Sequence, residues 1–351
     1  MRQGLASGVG PELSHPDMMG GDSYADAIEV LELSSGAYAD LIASPYADEL
    51  AAGRPATPLL LVTGDPEPDL PRPGSLPVVV VWAGEQLGGE GPPSADVVAG
   101  LDDVEALVRT IGAAPLAAQS LAVLLRSQDD LDVEAGLAAE SSVYSLLQAG
   151  PEFAAWRARR PQRAIVAEDH AVVSDRDGAT LTITLDRPHR RNAITAQLRD
   201  ELAIALAVAV VDDSIARVVL RGSGGSFSAG GDLDEFGLRP DPATAHVTRL
   251  ARSPARLMEK LRGRTTANIG GATLGGGIEL AAFATTVVAA ADTQIGLPEI
   301  ELGLIPGAGG TVSITRRIGR QRTAALALTA RRIDAPTALA WGLVDAIEPQ
   351  A

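Results

Sequence analysis

From about Ala164 to the end, short β-rich runs alternate with helical stretches, and that alternation constrains the fold more than any other feature. Leu181-Thr-Ile-Thr-Leu185 reads as a strand, and Thr195 to Val211 as an Ala/Leu-rich helix that Thr195 can cap. Ala216 to Arg221 is a second strand, leading into a glycine-rich loop. Pro242 to Arg262 is expected to be helical, Gly275-Gly276-Gly277 runs into a helix over Ile278–Phe283, and Thr286 to Ala290 is another strand. Strands separated by helices argue for an α/β domain over 162–351.

The first half has a different texture. Residues 1–23, rich in Gly, Pro and polar residues, read as a disordered leader, and Ser23 to Gly53 as weakly helical. Leu59-Leu-Leu-Val62 and Val78-Val-Val-Val-Trp82 are short, β-rich and bounded by Pro or Gly, so they are expected as buried strands. After a Gly/Pro loop over 85–95, Asp102-Asp103 can start a helix over 103–111. Pro115 suits the first turn of a second helix carrying Leu121 and Leu125. A third runs from about Val133 to Gln148 with Leu137, Tyr144 and Leu147 on one face, and Pro151 opens a fourth. The basic run Arg157-Ala-Arg-Arg-Pro161 marks a boundary, so 24–161 is expected as a separate α/β-helical module without catalytic residues.

Composition removes several classes of function. Cysteine is absent, which excludes disulfides, thiolate catalysis and Cys-ligated metals. The four histidines, His15, His170, His189 and His246, show no metal-binding spacing. Net charge is −16 and Lys260 is the only lysine, so the chain lacks the basic stripe that displaces counterions from nucleic acid. There is no run of eighteen apolar residues and no apolar segment of signal-peptide type near the N-terminus, so a cytoplasmic, non-membrane protein is expected.

Two loops carry the chemistry. Phe227-Ser-Ala-Gly-Gly-Asp-Leu233 follows a strand, and Leu274-Gly-Gly-Gly-Ile-Glu-Leu280 runs three glycines straight into a helix. A glycine-rich helix start aims backbone N–H groups at a ligand oxygen, and two such loops meeting make an oxyanion hole. Either alone reads more readily as a tight turn. Glu279 stands in the first turn after the triple glycine, and Glu299 in Gly296-Leu-Pro-Glu-Ile300. Two carboxylates flanking an activated carbonyl can hold and ionise one water.

Leu185-Asp-Arg-Pro188 with Asn192-Ala-Ile194, VVLRGSGGSFSAGGDL (218–233), TLGGGIEL (273–280), GLPEIELGLIPGAGGT (296–311) and GLVDAI (342–347) resemble the crotonase (enoyl-CoA hydratase/isomerase) superfamily in order and spacing. The likeness covers roughly residues 170–348. It implies a crotonase-like spiral of ββα units. It also implies that the backbone N–H groups of Gly231 and Gly276 bind a thioester oxygen, and that Glu279 and Glu299 are a hydratase's catalytic pair. Glu279 is then expected to activate the water and Glu299 to exchange the proton at the α-carbon. Arg190, Arg191, Ala229, Asp232 and Leu233 are implied contacts for substrate or CoA, although Arg190 and Arg191 are equally readable as solvated surface and Asp232 reads first as a tie within its own loop. Pro306-Gly-Ala-Gly-Gly310 reads as a turn and helix start. The resemblance implies enoyl-CoA hydration, with double-bond isomerisation, thioester hydrolysis or plain acyl-CoA binding as alternatives. It implies no metal and no cofactor beyond the CoA of the substrate, and a homo-oligomer, trimer or hexamer.

Two departures stand out. Arg264-Thr-Thr266 replaces the basic-Pro-Val entry to the strand before the triple glycine. Members of the superfamily also continue past the GLVD strand with several helices, whereas here DDVEALVRTIGAAPLAAQSLAVLLR (102–126) and LAAESSVYSLLQAGPEFAAWRARRP (137–161) in the first half resemble that tail. The catalytic unit is therefore expected to be circularly permuted, or the first half to be a degraded second copy that scaffolds the other.

Overall fold

The computed structural model describes residues 28, 30–44, 47, 58–65, 70, 72–161, 163, 168–238 and 241–348, so the expected leader over 1–23 lies outside them. Strands β1 (Val30–Ser34), β2 (Leu59–Thr63), β3 (Val79–Ala83) and β4 (Val97–Ala99) pair in chain order, all parallel. Both faces of this sheet are covered, which is why β2 and β3 read as unbroken apolar runs. One face packs Leu60, Val80 and Trp82 around Tyr38 of α1 (Ser35–Ala43). The other gives Leu59, Leu61, Val79 and Val81 to a core that continues into the second half.

The weakly helical reading of 23–53 is corrected here. Val30-Leu-Glu-Leu-Ser34 is a strand, in register with Leu59–Thr63, and the helical α1 follows it. Its β character comes from a partner some thirty residues away, which a local reading cannot register.

Four helices follow as expected: α2 (Leu101–Ala113), α3 (Pro115–Gln128), α4 (Val133–Gln148) and α5 (Pro151–Ala158). Pro115 and Pro151 occupy first-turn positions, where a missing N–H costs nothing. Asp132 caps α4 by accepting from the Ala135 N–H at 2.8 Å. No single described helix is long and apolar enough to cross a membrane. The α2–α3 pair passes on length and composition, but it bends by 109° and buries Leu107, Leu121 and Leu125 in the core.

The second half contributes β5 (Val172–Asp177), β6 (Thr180–Leu185), α6 (Ala196–Val211), β7 (Arg217–Gly222), α7 (Pro242–Ala251) and α8 (Pro254–Lys260). Then come β8 (Thr265–Ile269), β9 (Ala272–Leu274), α9 (Gly276–Ala281), β10 (Thr286–Ala290) and β11 (Gln294–Gly296). A 3-10 turn over Glu299–Leu302, α10 (Gly310–Thr329), β12 (Ile333–Asp334), α11 (Ala335–Trp341) and β13 (Ala346–Glu348) complete it.

One six-stranded sheet runs β13-β10-β8-β7-β6-β5, and a three-stranded sheet runs β12-β11-β9. The β8–β9 and β10–β11 pairs each put their first strand in the larger sheet and their second in the smaller, and a helical segment follows each pair. That repeated ββα step is the spiral implied by the sequence. It aligns the starts of α9 and of the Glu299 turn, because β9 and β11 are adjacent and parallel.

Pro242–Arg262 is two helices, not one. Ser253 accepts from the Arg256 N–H, and Pro254, which cannot continue a helix from its N-terminal side, opens α8. The helix of the triple-glycine loop starts at Gly276 itself. Without an entry proline, β8 still begins at Thr265, whose hydroxyl accepts from the Thr285 N–H at 3.0 Å. The halves are also joined by polar contacts: the Gln128 amide donates to the Thr311 hydroxyl at 3.1 Å, and Arg320 to the Ala95 carbonyl at 2.8 Å.

Candidate active site

The two glycine loops meet. Ile194 bridges to Gly231 and Ser228 to Thr273, which brings the 227–233 loop beside the entry to α9. The loop under Ile194 is held by Asn192, which is in the left-handed region (φ 54°). Its amide donates to the Ser223 and Ser226 carbonyls and its oxygen accepts from the Arg187 N–H. A Cβ built on Gly276 would stand 3.9 Å from the Gly231 nitrogen, so the two backbones are close neighbours. Among the described residues neither the Gly231 nor the Gly276 N–H has a protein acceptor. Both residues line one cavity of about 230 Å³. Unpaired backbone donors turned to a cavity are the requirement of an oxyanion hole.

Glu279 and Glu299 line the same cavity, 1 % and 9 % exposed. Glu279 stands one turn into α9. Its Oε2 accepts from the Ala308 N–H at 2.6 Å and the Gly310 N–H at 2.9 Å, at the start of α10. Burial pushes its carboxyl up to about 7, against the pull of those donors. Glu299 is brought alongside because Gly275 donates to the Gly296 carbonyl at 2.9 Å. Gly275 has φ +46°, and any Cβ there would run into the Glu299 carboxylate. Among the described residues Glu299 Oε2 is buried without a partner, and burial, then the fields of Glu279 and Glu140, hold this carboxyl well above the usual range. The two are thus unlike. Glu279 has donors that favour its anion, whereas Glu299 is favoured as the neutral acid.

A third buried carboxylate was not foreseen as part of the site. Glu140, on α4 of the first half, is 2 % exposed. Its Oε1 accepts from the Gly309 N–H at 2.7 Å, and its Oε2 from the Thr311 N–H at 2.9 Å and hydroxyl at 2.8 Å. Donors 308 and 310 therefore go to Glu279, and 309 and 311 to Glu140. The turn before α10 is clamped between carboxylates from the two halves. Burial and the Glu279 charge push Glu140 up to about 8. The signal was a lone Glu on the apolar face of Leu137, Tyr144 and Leu147. Tyr144 and Arg249 of α7 line the cavity as well, and Arg249 lies 4.5 Å over the Tyr144 ring.

The remaining sequence candidates stand outside the cavity lining. Asp232 is buried and accepts from Arg187 and Arg190, both at 3.3 Å, and from the Asp234 N–H at 3.1 Å, so it ties its loop. Arg190 pairs with Asp234 at 2.6 Å. Arg191 is exposed, with φ 50°, and its carbonyl accepts from the Ala229 N–H at 2.9 Å. Leu233 is half-buried. Among the described residues no group of three or more His, Asp or Glu has metal-site geometry.

Comparison with known proteins decides the family. The profile of the enoyl-CoA hydratase/isomerase family matches residues 175–351. The 2,3-dehydroadipyl-CoA hydratase of Escherichia coli is 36% identical over 178 residues, covering 51% of this chain and 69% of that protein. The chain belongs to the enoyl-CoA hydratase/isomerase family. It is similar, too, to an enoyl-CoA isomerase/hydratase of Mycosarcoma maydis, 38% identical over 176 residues, 48% of this chain and 64% of that one. Among solved structures, an enoyl-CoA hydratase of Thermoplasma volcanium is 33% identical with a TM-score of 0.46, covering 51% of this chain and 72% of its own. This family member is therefore an enzyme whose matched part is its second half, and α4 of its first half lines the same cavity.

Proposed function

We propose that the protein adds water across the 2,3 double bond of a 2-enoyl-CoA thioester. The observation that carries this reading is the shared cavity of two unlike buried carboxylates and two backbone N–H groups without acceptors. The Gly231 and Gly276 N–H groups donate to the thioester oxygen and draw charge from carbon 3. The Glu279 carboxylate takes a proton from water as its oxygen bonds to carbon 3. The negative charge that develops on the thioester oxygen is held by the two N–H groups, and Glu299 gives its proton to carbon 2. Passing the proton from Glu279 back to Glu299 resets the site. The reaction needs no cofactor beyond the CoA of the substrate. In this scheme Glu140 positions the turn that holds Glu279.

The names of the relatives support acyl-CoA chemistry. The retention of both carboxylates favours hydration over reactions that use one. Product analysis with unsaturated and saturated acyl-CoAs tests this. A 3-hydroxyacyl-CoA from the 2-enoyl thioester is expected, and a moved double bond or a free acid as the main product rejects hydration.

Gly276→Val is expected to lower turnover by at least about tenfold, within the range for losing an oxyanion donor, with native far-UV circular dichroism. A Cβ there already meets Ile194 Cδ1 at 3.1 Å and Ala308 Cβ at 3.5 Å, so valine's methyl groups intrude on the space for the oxygen. Undiminished turnover places the oxyanion hole elsewhere.

A further inference from the structure

Away from Gly231 and Gly276, the cavity wall is built by α4 and α7 and carries a cation. Arg249 is only partly accessible, and it lines the cavity beside Leu137, Tyr144, Ala245 and Leu250. Its Nε donates to the Ser141 hydroxyl at 3.1 Å, while Nη2 donates to the Ser141 carbonyl and to the Ser145 hydroxyl. Ser141 also pairs with His246 Nδ1 at 2.9 Å. Two features of this arrangement are unusual for a cation in such a place. No carboxylate lies within salt-bridge distance of Arg249 among the described residues, whereas the neighbouring Arg199 and Arg252 both pair with Asp200. Among the described residues its Nη1 also has no hydrogen-bond acceptor, and the atom is not sealed off. Gln148, on the same wall, has a buried Oε1 without a donor. A guanidinium whose Nη1 is free matches a carboxylate, which it can bind by charge-assisted hydrogen bonds.

We propose that Arg249 receives a carboxylate at the far end of the acyl chain, so that the preferred substrates are 2-enoyl-CoA thioesters of dicarboxylic acids. This inference rests on the hydratase reading of the same site. Gly231, Gly276 and Arg249 line one cavity, so an acyl chain whose thioester sits at the two glycines can bring a terminal carboxylate to Arg249. The apolar residues around it cover the methylenes in between.

Binding separates this idea from turnover. Calorimetry with hexanoyl-CoA and hexanedioyl-CoA, and with the five- and eight-carbon pairs, reads Arg249 without any reaction. At the matching length the dicarboxylic thioester is expected to bind at least about tenfold more tightly, the scale of one charge-assisted hydrogen bond. Arg249→Met is expected to bring that ratio close to one, and Arg249→Lys to keep part of it. A wild-type ratio near one at every length overturns the proposal without recourse to a variant. A ratio that survives in Arg249→Met overturns it as well. An equal loss for both thioesters in Arg249→Met places the residue on the CoA phosphates they share, and that also overturns it. Hydration of the matching 2-enedioyl-CoA is measured in parallel. If the binding ratio holds but no water is added, the hydratase reading has failed and the carboxylate subsite stands.

Discussion

Glu279→Gln and Glu299→Gln are each expected to lose hydration of a suitable 2-enoyl-CoA by about 10²–10⁴-fold while still binding it. That is about 2.7–5.4 kcal/mol of barrier at 1.36 kcal/mol per decade. Glutamine nearly preserves shape, so the loss reports the missing acid or base. In the proposed reaction Glu279 must be ionised and Glu299 protonated. The rate therefore rises with pH as Glu279, held near 7 by burial, loses its proton, and falls once Glu299 loses its own. The two limbs belong to the coupled set that includes Glu140, not to either residue alone. The double variant is expected to fall short of the product of the single losses, because both groups act on one water and one proton inventory. Hydrogen exchange at the α-carbon is most sensitive to Glu299. A single variant that hydrates at close to the wild-type rate contradicts the two-carboxylate scheme.

Removing residues 1–161 is expected to abolish both solubility and activity. The deletion uncovers the core shared by Leu59, Leu121 and Leu137 with Ile314 and Leu328, and exposed apolar surface on that scale drives association. It also takes away Glu140, leaving the Gly309 and Thr311 donors without their acceptor. Glu140→Ala isolates the second effect. Each buried donor left unpaired costs about 1–3 kcal/mol, so a lowered melting temperature is expected together with slower turnover, as the turn that holds Glu279 loosens. A soluble, fully active 162–351 fragment contradicts this, and makes the first half an independent appendage.

The glycine loops and the Glu279–Glu299 pair were legible in the sequence because their chemistry is local. Three glycines open a helix, a carboxylate follows in its first turn, and a second opens the helical segment of the next ββα step. Glu140 and Arg249 were not legible as cavity residues. Glu140 meets Gly309 from 169 residues away, and only tertiary packing brings it there. The pattern did carry a trace, since a glutamate inside the apolar stripe of α4 must find buried donors. Ser253-Pro254 likewise marked the break between α7 and α8, as a capping residue followed by a first-turn proline. The strand β1 left no such mark, because its apolar alternation over five residues is too short to separate from a helix face.

Isotope placement tests the central claim most directly. The wild-type protein is incubated with a 2-enoyl-CoA in water enriched in heavy oxygen and deuterium, and the product is mapped by mass spectrometry and NMR. The two-glutamate, two-glycine site is expected to give a 3-hydroxyacyl-CoA with one heavy oxygen on carbon 3 and deuterium on carbon 2. A shifted double bond without heavy oxygen, or heavy oxygen in a released carboxylate, would contradict hydration at this site.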